Sequence, residues 1–212
     1  MKLCIVPMKP LARAKARLAE VLSPEDRRRL SLAMLEDVVI AARALDEVWV
    51  LNSDDDAADV AARLGAEPKP DPTPDEGLNA SLKAATADAA VAGAHGVLVL
   101  SADLAAVRGN DVRAMALGTG VVLAPDRTAR GTNALWRMPP DAIPAMFGVD
   151  SRRAHEAFAR AHRIPFAIVA RPALALDIDS PRDMADVRSL GPGEATRAVL
   201  DDLGYPAGRV GR

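Results

Sequence analysis

The chain has 212 residues, 50% of them hydrophobic and few aromatic (Trp 2, Tyr 1, Phe 3), which suits one domain with an aliphatic core. Its 27 basic and 29 acidic residues leave a net charge of −2, which argues against a nucleic-acid partner, because such proteins carry a strongly basic face. A single cysteine, Cys4, excludes an internal disulfide, and no apolar run reaches the ~18 residues of a membrane-spanning helix, so we expect a soluble cytoplasmic protein without a membrane partner.

Apolar runs and helix boundary signals predict alternating strands and helices along the first half of the chain. Ser23 suits the N-cap and Pro24 the first position of a helix that extends to about Ala44. Gly65 and Gly93 each follow a helical pattern, as helix-ending glycines do. The predicted strands are 2–8, 47–52, 66–68 and 96–104, and the predicted helices are 24–44, 54–64 and 79–92.

The second half continues the same alternation. The predicted strands are 121–126, 132–138, 165–170 and 173–179, and the predicted helices are 111–117, 151–162, 181–190 and 194–203. Strands that alternate with helices predict a three-layer α/β/α fold with a mostly parallel, Rossmann-like sheet. Ligands of such sheets bind outside the carboxyl ends of the strands. This rule directs attention to residues 7–9, 101–104 and 177–179.

Three carboxylates stand at these strand ends. Asp103 follows the apolar strand 96–104, and Asp177 and Asp179 lie two residues apart, which puts both on one face of a strand. Paired carboxylates repel each other and are costly to desolvate. A divalent cation such as Mg²⁺ would relieve both costs. The same pattern also suits solvated loop acids, or caps for the helix that begins at Pro181.

A cluster of basic residues follows the first predicted strand: Lys9, Arg13, Lys15 and Arg17. Nucleotide-binding α/β proteins commonly place a glycine-rich loop there, but no glycine precedes Gly65, so neither GxGxxG nor a Walker loop is present. Ammonium and guanidinium groups could supply the positive charge for a triphosphate instead. A solvated basic helix face would account for the same residues.

Three further segments offer backbone amides and short polar side chains. In EGLNASL (76–82), Gly77 permits close approach of the backbone to a ligand, and Asn79 suits an N-cap or a nucleoside contact. The segment 131–133 follows two arginines and could hold an anion. Ser151 begins a helix with His155 one turn later, where N–H groups and the helix dipole favour a carboxylate or phosphate. An ordinary serine N-cap explains Ser151 as well.

In their order and spacing, these segments resemble the guanylyltransferases of deazaflavin coenzyme biosynthesis, which activate 2-phospholactate or phosphoenolpyruvate with GTP. The matching segments are VPMKPLARAKARL (6–18), EGLNASL (76–82), LVLSADL (98–104), PDRTARGTNAL (125–135), FGVDSRRAH (147–155) and LDIDSPRDM (176–184). The resemblance covers about residues 1–190, which we expect to form a single nucleotidyltransferase domain. It departs at Ala105, where the family often has proline, and it assigns no role to the predicted C-terminal helix and tail (191–212).

The resemblance implies transfer of GMP from GTP to a three-carbon phospho-acid, with release of pyrophosphate. It implies that Asp103, Asp177 and Asp179 hold two Mg²⁺ ions and form the catalytic set together with Lys15. The implied nucleotide-binding residues are Pro7, Lys9, Lys15, Gly77 and Asn79. The implied acceptor-binding residues are Thr132, Gly148 and Ser151. The acceptors that fit this class are phosphoenolpyruvate, 2-phospholactate and 3-phosphoglycerate.

Two other functions stay open at this point. Another nucleotidyltransferase of the same fold would act on a sugar phosphate or a molybdopterin-type acceptor, although many of those enzymes use a glycine-rich first loop. A non-catalytic nucleotide-binding module is the more distant alternative. Such a module would not need three carboxylates at neighbouring strand ends.

Overall fold

A seven-stranded sheet forms the centre of the computed structural model, which describes residues 1–205 except the side chain of Arg13. The strands are β1 (Lys2–Pro7), β2 (Glu47–Asn52), β3 (Glu67–Pro70), β4 (Gly96–Leu100), β5 (Gly120–Pro125), β6 (Thr132–Met138) and β7 (Phe166–Ile168). Their order is β3-β2-β1-β4-β6-β5-β7, and β6 runs antiparallel to β4 and β5, whereas the other neighbouring pairs are parallel. The predicted mostly parallel sheet is confirmed.

Helices cover both faces of this sheet. They are α1 (Pro24–Ala42), α2 (Asp55–Arg63), α3 (Leu78–Val91), α4 (Gly109–Met115), α5 (Ser151–Ala161), α6 (Pro172–Ala175), α7 (Pro181–Leu190) and α8 (Glu194–Asp202). Helices α1, α2 and α4 pack on the face that carries Cys4 and Leu98, and α3 packs on the face that carries Ile5 and Val97. Successive strand residues point to opposite faces, so both faces acquire an apolar core and the fold has three layers.

The helices within residues 1–205 include none that is both long and apolar enough to cross a membrane.

The predicted helix at 194–203 is present as α8 and packs against α1. The carboxylate of Asp37, in the middle of α1, accepts the backbone N–H groups of Ala195 and Thr196 at 3.2 and 2.9 Å. This side chain satisfies donors at the start of α8 that have no partner inside the helix. Thr196 and Leu200 are buried in the contact. Residues 206–212 of the predicted C-terminal tail lie outside the described residues.

Two strand predictions at the edge where β1 and β4 end are wrong. Residues 173–179 do not form a strand: α6 occupies the first part, and an irregular segment leads from it to α7. Pro172 supplies the fixed φ angle of a first helical residue, and the alanines and leucine after it are strong helix formers. Strand β4 ends at Leu100 rather than at residue 104, because the chain turns there and the Val107 N–H donates to the Leu104 carbonyl.

The start of β6 lies at the same edge as the carboxyl ends of β1 and β4, because β6 is antiparallel. Leu100 pairs with Ala134, and the Ser101 N–H donates to the Asn133 carbonyl at 3.0 Å. The register between β5 and β6 shifts here, so that Asn133 is an extra residue between the paired positions Thr132 and Ala134. Such a bulge re-aims side chains, and Thr132 bonds to α5 while Asn133 bonds to α6.

Candidate active site

Three carboxylates meet at the edge where β1 and β4 end. One oxygen atom from each of Asp103, Asp177 and Asp179 lies within 4.8 Å of the other two, and all three side chains are half-buried. Asp103 comes from the turn after β4, and the other two come from the irregular segment between α6 and α7. Strand periodicity is therefore not what places Asp177 beside Asp179. The tertiary fold brings them together at the predicted edge.

The ammonium group of Lys15 lies among these carboxylates. Its Nζ atom is 2.6 Å from Asp103 Oδ2 and 3.1 Å from Asp179 Oδ1. Lys15 stands between two short 3₁₀ turns and adopts a left-handed backbone conformation (φ 52). That conformation costs a residue other than glycine roughly 1–2 kcal/mol. The basic loop after β1 is thus shaped to deliver this one ammonium group to the acidic cluster.

The pKa values of the cluster follow from burial and from these pairings. Burial alone would lower the pKa of Lys15, but the charges of Asp103 and Asp179 outweigh it, so that pKa is raised. Burial alone would raise the pKa of Asp179, but the charge and hydrogen bond of Lys15, together with the charges of Arg17 and Lys9, outweigh it, so that pKa is lowered. Burial, followed by the negative charge of Asp103, raises the pKa of Asp177. Asp177 is therefore the carboxylate of the cluster that most lacks a positive neighbour.

The donor set of this cluster fits a hard divalent cation. Three carboxylates face one buried ammonium, so the cluster carries surplus negative charge, and repulsion between like charges disfavours its ionised form. Mg²⁺ prefers oxygen ligands and is commonly bound by one or two carboxylates together with substrate phosphates. Asp103, Asp177 and Asp179 are the residues that could hold it.

Asn133 holds Asp177 in place and was not assigned this role from the sequence. Asn133 is buried, and its Nδ2 group donates to the Leu174 carbonyl at 3.1 Å and to Asp177 Oδ1 at 3.3 Å. This hydrogen bond favours the ionised carboxylate and partly offsets its burial. No local sequence pattern predicts this contact, because the bulge that turns Asn133 toward α6 depends on strand pairing.

Asp183 holds the backbone of Asp179. Its Oδ2 atom accepts the N–H groups of Asp179 at 3.1 Å and of Ser180 at 2.7 Å, and its Oδ1 atom lies 2.7 Å from Arg127 Nη2. Ser180 and Asp183 form a capping box at the start of α7. The spacing of serine and an acidic residue three positions later is readable in the sequence, so this positioning role could have been predicted.

Of the other residues predicted to bind the nucleotide, Lys9 interacts with the acidic cluster through its charge. Pro7 ends β1, and the exposed Lys9 follows it closely enough for its charge to contribute to the lowered pKa of Asp179. Arg17 Nη1 lies 3.5 Å from Asp179 Oδ2, which adds a cation that the predicted set omitted. Gly77 has φ +88 and open space around the position of a side chain, so its backbone is accessible. The nucleotide-binding role of Pro7, Lys9 and Gly77 stays a prediction.

Asn79 is not the N-cap of α3, because Gly77 occupies that position. The Asn79 side-chain amide instead bonds to the backbone of Phe147 in both directions: Nδ2 donates to the carbonyl at 3.0 Å, and Oδ1 accepts the N–H at 2.8 Å. These two bonds tie α3 to the loop before α5. The predicted contact of Asn79 with a nucleoside stays a prediction.

The three residues predicted to bind the acceptor lie together between β6 and α5. Ser151 Oγ donates to Thr132 Oγ1 at 3.1 Å, and the Ser151 N–H donates to the Gly148 carbonyl at 3.2 Å. Gly148 has φ +130, a conformation that other residues rarely adopt. His155 Nδ1 lies 3.2 Å from Thr132 Oγ1 and completes a buried polar cluster. Their role toward an acceptor stays a prediction.

The N-terminus of α5 offers fewer free N–H groups than the sequence suggests. Asp150, not Ser151, is the N-cap, and its side chain makes no capping hydrogen bond. The Ser151 N–H donates to Gly148 and the Arg152 N–H donates to the Arg130 carbonyl at 3.1 Å. The Ser151 and Arg152 amides are thus already engaged, which leaves hydroxyl groups and the helix dipole as the features of this site that favour an anion.

Comparison with known proteins identifies related sequences over nearly the whole chain. The family model described as "Guanylyl transferase CofC like" matches residues 1–208. A phosphoenolpyruvate guanylyltransferase from Sphaerobacter thermophilus is 36% identical over 196 residues, which cover 90% of this chain and 94% of the relative. One from Nocardia farcinica is 38% identical over 223 residues, which cover 97% of this chain and 96% of the relative.

Solved structures with the same fold are more distant in sequence. A Desulfovibrio desulfuricans protein assigned as a nucleotide-diphospho-sugar transferase has a TM-score of 0.75 at 15% identity and covers 95% of this chain and 94% of its own. A nucleotidyl transferase from Methanothermobacter has a TM-score of 0.68 at 17% identity and covers 95% of this chain and 99% of its own. At this identity the similarity shows the fold, which is that of nucleotidyltransferases.

Proposed function

The chain belongs to the CofC-like guanylyltransferase family, and from this premise we propose that it transfers GMP from GTP to a three-carbon phospho-acid and releases pyrophosphate. Relatives named phosphoenolpyruvate guanylyltransferase make phosphoenolpyruvate the first candidate acceptor. The observation that best supports this proposal is the acidic cluster of Asp103, Asp177 and Asp179 around Lys15. The diphosphate-linked product is activated for a later transfer, in keeping with a role in deazaflavin coenzyme biosynthesis.

The proposed reaction is a single displacement at phosphorus. A phosphate oxygen of the acceptor attacks the α-phosphorus of GTP and forms a new P–O bond, while the bond from that phosphorus to the oxygen bridging the β-phosphorus breaks. Pyrophosphate leaves with the electron pair of the broken bond. An ionised phosphate is already a nucleophile, so no general base is required. Both reactants are anions, so charge neutralisation and positioning account for most of the catalysis.

The acidic cluster and the basic loop divide this work. Asp103, Asp177 and Asp179 would hold Mg²⁺, two ions by the family resemblance, which when bound supplies positive charge at the attacking and leaving oxygens. Lys15, with Lys9 on the same loop, neutralises charge on the triphosphate and the departing pyrophosphate. Arg17 is placed to assist, since it already pairs with Asp179. Pro7, Gly77 and Asn79 border the nucleotide.

Thr132, Gly148 and Ser151 are proposed to hold the acceptor. Thr132 adjoins Asn133, which bonds to Asp177, so the hydroxyl cluster and the acidic cluster share one strand end. An acceptor anion bound there would lie next to the residues proposed to hold Mg²⁺. Short hydroxyls and a glycine suit a small anion with a carboxylate and a phosphate.

A pyrophosphate-release assay tests the proposed function. Each reaction contains the protein, Mg²⁺, GTP and one of the three acids: phosphoenolpyruvate, 2-phospholactate or 3-phosphoglycerate. ATP in place of GTP and glucose 1-phosphate in place of the acid are the matched controls. We expect release with GTP and more than one acid, with one acid clearly preferred. Release with glucose 1-phosphate alone, or nucleotide binding without any release, would overturn the proposal.

Ser151→Ala tests the acceptor site. The substitution removes the hydroxyl that bonds to Thr132, so we expect KM for the acid to rise by about tenfold, the effect of one hydrogen bond near a charged ligand. KM for GTP should stay within about twofold, because the hydroxyl is assigned to the acceptor alone. Ser189→Ala, the same change at an exposed position of α7, is the control. A variant with impaired GTP binding and normal acceptor binding would place α5 in the nucleotide site.

A further inference from the structure

His155 is a buried polar side chain of α5 for which the transfer reaction has no role so far. Its exposed fraction is 0%, and Phe147 packs edge-on against it, with 5.5 Å between the ring centroids. Both ring nitrogens are engaged: Nδ1 lies 3.2 Å from Thr132 Oγ1, and Nε2 accepts the Met146 N–H at 3.0 Å. The imidazole is therefore held in one orientation by its surroundings.

The bond from Met146 determines which nitrogen carries the proton. A backbone N–H can only donate, so Nε2 has no proton, and a neutral imidazole then carries its proton on Nδ1. Burial and then the charge of Arg137 lower the pKa of His155 to about 4, against the opposing effect of the Ser151 carbonyl, so the ring is neutral near neutral pH. The Nδ1–H group accordingly donates to Thr132 Oγ1.

The Thr132 hydroxyl thereby has both of its acceptor positions filled. His155 donates to it from one side, and Ser151 Oγ donates to it from the other at 3.1 Å. A hydroxyl has two acceptor lone pairs and one proton, so only the proton is left to bond. These two contacts are the hydrogen bonds of Thr132 Oγ1 within residues 1–205. Thr132 keeps 7% of its surface exposed, at the edge of the sheet where the acidic cluster lies.

We propose that His155 is a positioning residue of the acceptor site, which, together with Ser151, makes the Thr132 hydroxyl a hydrogen-bond donor only and presents its proton to an anionic oxygen of the phospho-acid. The inference rests on the proposed function and deepens it. A free hydroxyl can turn and accept a hydrogen bond from a neutral alcohol or an ammonium group. A hydroxyl restricted to donation favours a phosphate or carboxylate oxygen and disfavours donors at the same place.

The alternative is that His155 only holds the loop before α5. That loop has a second attachment, because the Asn79 amide bonds to both the N–H and the carbonyl of Phe147. Loss of the Met146 bond alone therefore leaves the loop tied to α3. Positioning the Thr132 hydroxyl and holding the loop predict different results for substitutions that replace the function of only one ring nitrogen.

A matched pair of variants separates the two roles. In His155→Asn, the amide nitrogen takes the position of Nδ1 and donates to Thr132, while in His155→Gln the amide oxygen takes the position of Nε2 and accepts from Met146. We expect KM for phosphoenolpyruvate to stay within about threefold of the parent in His155→Asn and to rise by about tenfold or more in His155→Gln, as for loss of one charge-assisted hydrogen bond. KM for GTP should be unchanged in both variants.

Thr132→Val supplies the second arm, because it removes the hydroxyl and keeps the side-chain shape. We expect Thr132→Val to raise KM for phosphoenolpyruvate as much as His155→Gln does. The double variant with both substitutions should show no larger increase in this KM than either single variant. Losses that multiply in the double variant would overturn the inference. Equal KM values in His155→Asn and His155→Gln would overturn it too, since a residue that only holds the loop would not distinguish them.

The tautomer is measurable in the parent protein, even if the variants do not fold. Nitrogen-15 NMR of the ring nitrogens should show Nδ1 of His155 protonated and Nε2 unprotonated, with His95→Gln and His162→Gln used for assignment because both side chains are exposed. A proton on Nε2 would overturn the inference. Failure of the proposed function is distinguishable, because the parent would then release no pyrophosphate from GTP with any of the three acids.

Discussion

We expect Asp179→Asn to lower kcat by about 10³-fold or more, which is the size of effect seen when a group that stabilises transition-state charge is removed. Asparagine has the shape of aspartate without its charge, so it pairs poorly with Lys15 and binds a divalent cation weakly. Asp183 bonds to the backbone N–H at this position rather than to the side chain, so the local fold should persist.

Pyrophosphate release at saturating Mg²⁺ measures this effect, and urea unfolding checks that the variant is folded. Asp88→Asn, the same change at an exposed position of α3, is the control and should retain full activity. We also expect weaker Mn²⁺ binding by calorimetry in Asp179→Asn. An Asp179→Asn variant that keeps more than about a tenth of the parent kcat would contradict a transition-state role for this carboxylate.

Lys15→Met is the second substitution for which we expect a large effect. It removes the ammonium group and keeps an aliphatic side chain. We expect GTP affinity to fall by about tenfold or more, as for loss of a charge-assisted contact with phosphate, while phosphoenolpyruvate affinity stays within about twofold. Mn²⁺ should bind at least as tightly as in the parent, since the ammonium that pairs with Asp103 and Asp179 no longer competes. GTP affinity should thus fall while metal affinity is retained or increased.

Titration calorimetry with GTP in the presence of Mg²⁺ measures the nucleotide effect. Lys83→Met, at an exposed position of α3, controls for the loss of a surface charge. Equal GTP affinity in Lys15→Met and the parent would count decisively against the nucleotide role. Weaker Mn²⁺ binding would show that Lys15 organises the carboxylates for the cation rather than competing with it.

Many helix boundaries of this protein were predictable because they depend on neighbouring residues. Ser23 Oγ accepts the N–H of Asp26 at the start of α1, as its spacing before Pro24 predicts. Gly65 and Gly93 have φ +72 and +91 just after α2 and α3, a conformation that costs glycine little. Each of these signals acts within about one helical turn, so the sequence around it contains the whole cause.

The strand predicted at 173–179 failed for one local reason and one distant reason. Alternating apolar residues in this segment fit the period of a strand. A segment this short also fits one turn of a helix, so the apolar pattern alone does not distinguish the two. Pro172 and the helix formers after it favour α6 locally, and Asn133 Nδ2 donates a hydrogen bond to the Leu174 carbonyl across 41 positions of the chain. Nothing within the segment records that partner.

The sequence by itself determined the layered α/β fold and the residues predicted to carry the chemistry: carboxylates at 103, 177 and 179, and a lysine at 15. Only the tertiary structure decided how they meet. Lys15 reaches Asp103 and Asp179 across 88 and 164 positions, and the bulge at Asn133 turns one side chain toward Asp177 and leaves Thr132 facing His155. Local propensities act through neighbouring backbone groups, whereas these contacts depend on strand order and register, which arise only when the whole sheet forms.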